Sequence, residues 1–148
     1  MEQLTEQVQA FYETDIAKVY YDTALDTLFL EYTGKVTSHK QFVQINTEVL
    51  NAFRQLRTQK FVADIRRMGV IAVDSQQWVG EVLLPGMFEH LKGRPLHHAQ
   101  FLDEKEIFSK ISGTNIQRRT ENKVHDGFHL YQFADRQELE DFLITLND

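Results

Sequence analysis

The apolar residues of this chain repeat with one period before residue 32 and with another after residue 42. Segments 8–12, 17–21 and 27–32 are short and rich in aromatic and β-branched or leucine residues, with polar stretches such as Glu13-Thr14-Asp15 and 22–26 between them. Runs of this kind bounded by turn-forming residues read as strands, here joined by two successive hairpins. Then Phe42, Ile45, Val49, Phe53 and Leu56 recur at i, i+3, i+7, i+11 and i+14. A helix turns once every 3.6 residues, so that spacing draws one apolar stripe along a helix over about 38–57. Hairpins followed by an amphipathic helix predict a sheet with helices packed on it.

Ser38 precedes the stripe and Gln41 stands three residues later, the spacing at which each side chain satisfies an orphan backbone donor in a capping box. Residues 60–65 read as a buried strand ending near Asp64, and Asp74-Ser75 as the cap of a second helix carrying Trp78, Val82 and Leu83. Pro85 falls inside that helix, where it cannot donate to the carbonyl of Glu81 and its ring crowds the preceding turn, so a kink or break is expected. Gly93 ends its second piece. A strand over 96–101, a helix from Asp103 with Glu106 three residues on, a strand over 128–133 and a terminal helix complete the series. That last helix has Asp135 as cap, Glu138 at the box position and Leu139, Phe142, Leu143 and Leu146 as its apolar face. Strands alternating with helices imply parallel pairing through right-handed crossovers. The polar stretch 113–127 is expected to be a mobile loop. The fold class read from this pattern is α/β: one domain over 1–148, with a single mixed sheet of about six strands and amphipathic helices.

Several function classes are excluded. A chain of 148 residues removes roughly 70% of its unfolded surface from water, enough for one core. The net charge of −6 argues against a general nucleic-acid binder, which needs a clustered excess of Lys and Arg, although Arg66-Arg67 and Arg118-Arg119 remain local anion contacts. With no cysteine there is no disulfide, zinc-thiolate site or cysteine nucleophile, which fits a reducing, cytoplasmic setting. The start, Met1-Glu2-Gln3-Leu4-Thr5-Glu6, is acidic rather than basic and apolar, and nowhere is there an apolar run of about 18 residues, so neither secretion nor a membrane span is expected. No G-x-G-x-x-G, phosphate-binding loop, G-x-S-x-G or H-E-x-x-H is present, and no cofactor or catalytic set is expected.

A few residues invite chemistry. Ser75 at a helix start would place a phosphate against free N–H groups, but as a cap it needs no further role. Asp64 with Arg66 or Arg67 at a strand end is the one suggestive acid–base set, its plainer reading being a strand-end ion pair. His97 and His98 point to opposite faces of a strand and cannot easily share a metal, whereas His129 can join one of them if their strands pair. No metal site is expected. Trp78 reads as core, and a kinked helix with Trp78, Met87 and Phe88 has the makings of a small apolar pocket.

Two hairpins, a long helix, the strand Phe61-Val62-Ala63-Asp64, the spacing Trp78-x6-Pro85, and Tyr131-x-Phe133-Ala134-Asp135 leading into Leu139-x2-Phe142-Leu143 together resemble the STAS-like family related to anti-sigma-factor antagonists. The likeness runs from about residue 8 to 146. It implies a nonenzymatic regulatory or ligand-binding domain, and this branch is also likened to lipid-binding CRAL-TRIO domains. In phosphoswitch members a serine after an aspartate at the start of this helix is phosphorylated by a partner kinase. Asp74-Ser75 matches that dipeptide, while Gln76-Gln77 stand where a small residue and a glycine are expected.

The resemblance makes the first expectation a STAS-like domain acting through a protein partner or small ligand near the second helix, with Asp64, Arg66, Asp74, Ser75 and Trp78 as candidate binding residues. A carrier of an apolar, lipid-like molecule is the alternative, followed by a hydrolase or isomerase using Asp64 and a histidine. The aromatic-rich first hairpin adds the expectation of a homodimer.

Overall fold

The first hairpins form from short strands rich in aromatic and aliphatic residues joined by polar turns. In the computed structural model, which describes residues 7–103 and 128–146, β1 (Val8–Glu13), β2 (Ala17–Asp22) and β3 (Thr27–Tyr32) are antiparallel neighbours. Asp26 closes the β2–β3 turn at φ 50°, a left-handed conformation that aspartate tolerates better than most residues. The chain continues through α1 (His39–Phe53), β4 (Lys60–Asp64), α2 (Val73–Trp78), a π-helical turn (Val79–Leu83), α3 (Leu84–Leu91), β5 (Leu96–Phe101), β6 (Phe128–Phe133) and α4 (Arg136–Thr145). The six strands lie in sequence order in one sheet. The pairs β3–β4, β4–β5 and β5–β6 are parallel, as the alternation of strands and helices requires. The helix expected from Asp103 and the loop over 113–127 lie outside the described residues.

Alternation along each strand builds two cores. Leu28, Leu30, Phe61, Ala63 and Leu96 face α1 and the 73–91 segment, where Phe42, Ile45, Val49, Phe53, Leu83 and Met87 meet them. Phe29, Val62, Ala99 and Phe101 face the other way and are covered by Leu139 and Leu143 of α4. Burying each large side chain is worth about 1.5–3 kcal/mol, so both helix layers are held chiefly by the sheet.

Ser38 caps α1, accepting from the Gln41 N–H at 3.1 Å, but the Gln41 side chain accepts from the Thr37 N–H at 2.9 Å. The capping box therefore closes one residue early. α1 stops at Phe53 rather than near 57, because the N–H groups of Gln55 and Leu56 turn tightly onto the carbonyls of Ala52 and Phe53. Four residues of the stripe are buried, and Leu56, past the helix end, packs half-buried against the same core. Asp135 caps α4 by accepting from the Glu138 N–H at 3.1 Å.

Pro85 does not break the helix, which runs on through a π-helical turn just before it. The turn before it widens, so that the Leu84 N–H reaches the carbonyl of Val79, five residues back. A wide turn absorbs both the missing N–H of proline and its ring. Helix 73–91 then continues to Lys92 at φ 52° and Gly93 at φ 94°, two left-handed residues that stop it. Among the described residues, no helix is long and apolar enough to cross a membrane.

Candidate functional site

Asp64 ends β4 on the α4 face, one step out of phase with Ala63. Only 4% exposed, it is held at both oxygens by its neighbour: Arg66 donates from Nε to Oδ1 at 2.9 Å and from the guanidinium end to Oδ2 at 2.8 Å. The guanidinium also lies 4.1 Å from the centre of the Phe101 ring. The hydrogen bonds it donates to Asp64 push the Arg66 pKa above its ordinary value, outweighing partial burial. This is a strand-end fork that engages both carboxylate oxygens, and His98 on the adjacent strand faces the opposite way.

Ser75 and Trp78 belong to that opposite face, so the candidate residues divide between two sides of the sheet. The expected cap is absent. α2 begins after Ala72, whose side chain offers no acceptor, and neither Asp74 nor Ser75 caps it. Asp74 is exposed in the first turn, and Ser75, 1% exposed, shares a 2.9 Å hydrogen bond with Nδ1 of His39. The start is set by the extended backbone of Ala72 (φ −65°, ψ 155°), with Ser75 placed two residues further in. That bond ties the first turn of α2 to the first turn of α1 across 36 residues of sequence; no local pattern announces it. Trp78 is half-buried, edge-on to Phe42 with ring centres 6.5 Å apart.

Beneath the 73–91 segment lies a cavity of about 40 Å³. Its walls are not Trp78, Met87 and Phe88 but residues one layer deeper, including Phe61, Ile65, Met68, Val79 and Leu83. Four polar side chains also line it: Tyr32, Asn46, His98 and Gln100, with exposures of 2%, 2%, 4% and 5%. Each comes from a regular element, so each is fixed by backbone geometry.

Their hydrogen bonds leave part of their capacity unused. Asn46 donates from Nδ2 to the Phe42 carbonyl and to the Tyr32 hydroxyl, both at 3.0 Å. His98 stacks on Phe61 with ring centres 4.8 Å apart, and its Nδ1 meets the Phe61 carbonyl at 3.1 Å. A carbonyl only accepts, so Nδ1 carries the proton and Nε2 is left with a lone pair. Gln100 accepts from Gln132 at 3.0 Å. Among the described residues, the Tyr32 hydroxyl hydrogen, Asn46 Oδ1, His98 Nε2 and Gln100 Nε2 have no partner. Burial lowers the His98 pKa to about 4 and raises that of Tyr32 above its ordinary value, the Asn46 hydrogen bond opposing it. Both side chains are uncharged at neutral pH.

A second polar hollow, about 90 Å³, sits on the α4 side at the start of the parallel strands and includes Asp26, Arg57, Lys60 and His97. Lys60 donates from Nζ to the Leu143 carbonyl at 2.9 Å, tying strand β4 to the end of α4. His97 and His129 are register partners and stack with centres 5.1 Å apart. Burial, then the neighbouring His129 and Lys60, lower the His97 pKa. Strand pairing thus brings the two histidines together as the sequence allows, but among the described residues no group of three or more metal-ligating side chains assembles.

No family model matches the chain, and no curated protein or solved structure does either.

Proposed function

We propose that this chain is a nonenzymatic, STAS-like regulatory domain that binds a small ligand in the cavity beneath the 73–91 segment. The observation that carries the reading is the set of four buried, uncharged polar side chains that line one cavity and have hydrogen-bonding capacity unused among the described residues. An unsatisfied buried polar group costs about 1–3 kcal/mol, so a cluster of them calls for an occupant. Apolar walls with a few convergent polar groups are the usual make-up of a small-molecule site. The π-helical turn supports the same reading, because it supplies Val79 and Leu83 to the wall and such turns recur at functional positions.

The regulatory part rests on the residues at the cavity rim. Ile71 lines the cavity, while Val70 and Val73 beside it are 70% and 64% exposed. A ligand that settles Ile71 also settles an apolar surface at the start of α2, where a protein partner can read it. A fragment screen by amide NMR on the full chain tests the binding role. The expected result is saturable shifts at Ala63, Ile65, Val79 and Leu83, lost when Ala63→Leu fills the cavity; a screen with no saturable shift there overturns the role. Hydrogen exchange tests the regulation: ligand should slow exchange at 69–76, and unchanged rates there would leave a binding protein without a switch.

A further inference from the structure

We infer that the cavity under the 73–91 segment takes a small uncharged molecule with a hydrogen-bond donor and acceptor at one end and a hydrocarbon body, the class of short carboxamides and alcohols. This rests on the binding role proposed above and narrows it by charge, polarity and size.

Charge is decided by the walls. Among the described residues, no Asp, Glu, Lys or Arg lines the cavity. Asp64, the nearest acid along β4, points to the other face and is forked by Arg66. A carboxylate, phosphate or ammonium placed here would be desolvated with no opposite charge among the lining residues, which disfavours its charged form. His98 offers no cation, since its Nδ1 proton is held by the Phe61 carbonyl and burial disfavours a second proton.

Polarity follows from the unused groups. Asn46 has its orientation fixed by the Phe42 carbonyl, which requires an N–H donor, so Oδ1 is its remaining acceptor. His98 Nε2 is a second acceptor. The Tyr32 hydroxyl, already accepting from Asn46, has its hydrogen to give, and the Gln100 amide has its Nε2 hydrogens. A hydrocarbon would leave all four unmet, whereas one carboxamide both accepts and donates. Phe61, Ile65, Met68 and Leu83 suit an aliphatic or small flat body.

Size is the tightest limit. At about 40 Å³ the cavity holds about three waters, each needing roughly 10–15 Å³. The ligand is therefore of fragment size and displaces those waters, and its amide or hydroxyl replaces their hydrogen bonds.

Three near-isosteric probes of that size test this: acetamide, acetate and ethylammonium, each titrated into the full chain at pH 7.5 and followed by amide NMR. Acetamide is expected to shift Ala63, Ile65, Val79 and Leu83 saturably, with a Kd lower than that of either ion by about tenfold or more. Asn46→Leu and Gln100→Leu, made separately, should each weaken it by about tenfold. If Asn46→Leu fails to fold, Gln100→Leu decides, and an unchanged affinity there overturns the assignment. Either ion binding as tightly as the amide overturns the uncharged class and leaves the binding role standing. The same holds if none of the three binds while fragments of the wider screen do. If neither these probes nor the screen shifts the lining residues, the cavity holds water only and both readings fall.

Discussion

His98 is stacked on Phe61 and closed off from solvent, and that environment makes it the residue through which pH acts most directly on the core. Its pKa of about 4 lies below the roughly 6.5 of an unfolded histidine. Between those values the unfolded chain binds the proton and the folded chain does not, so stability is full above about 6.5 and falls as pH drops toward 4, by roughly 3 kcal/mol in total. Urea unfolding at pH 7.5 and 4.5 should show that loss, and His98→Gln should flatten it; an unchanged slope in the variant would remove His98 as the cause. Phe53, fully buried at the end of the α1 stripe, is a packing residue by contrast. Phe53→Ala should cost about 3–5 kcal/mol through lost transfer energy and a cavity, and a loss below about 1 kcal/mol would show that the stripe does not face the core. The stripe was legible because burial of a helix face follows its period. The polar partners of His98 and Ser75 were not, since each comes from an element dozens of residues away and leaves no local trace.

Of the four helix starts that looked alike in sequence, an acceptor followed by a helical pattern, three lie among the described residues, and the structure uses two of those. Ser38 and Asp135 accept from the N–H three residues on, whereas α2 begins at Ala72 with no side-chain acceptor. Ser38→Ala and Asp135→Ala should therefore each lose about 1 kcal/mol. Asp74→Ala should lose less than about 0.5 kcal/mol, its exposed carboxylate acting only through the helix dipole. Equal losses at all three positions in denaturant unfolding would restore Asp74 as a cap. The difference was hidden because any short polar residue near a helix start fits the pattern, while the true boundary depends on where the loop from Asp64 sets the chain down. Pro85 marked an irregularity correctly, but not its form. Leu83, Leu84 and Met87 all stay buried across the widened turn.

At the scale of the whole molecule, one sheet serves two cores, which makes unfolding a question about the sheet. Val62 and Ala99 face α4 while their strand neighbours Phe61 and Leu96 face α1 and α3, so neither layer can leave without exposing strands that the other layer needs. The antiparallel start and the parallel pairing that follows were legible in outline, because hairpins pair neighbours and helix crossovers return the chain in the same direction. Which helix takes which face was not, since alternating apolar residues in β3 and β4 are compatible with either assignment. The single tryptophan makes the coupling measurable: Trp78 packs against Phe42 in the first core, and Leu143, 1% exposed, lies in the second. Leu143→Ala should destabilise the domain by about 2–5 kcal/mol. If the sheet binds both cores into one cooperative unit, Trp78 fluorescence and far-ultraviolet circular dichroism should report the same lowered midpoint, though the tryptophan lies across the sheet from the substitution. A circular-dichroism curve that splits in two while the fluorescence midpoint stays at its wild-type value would show instead that α4 and its face of the sheet come apart on their own.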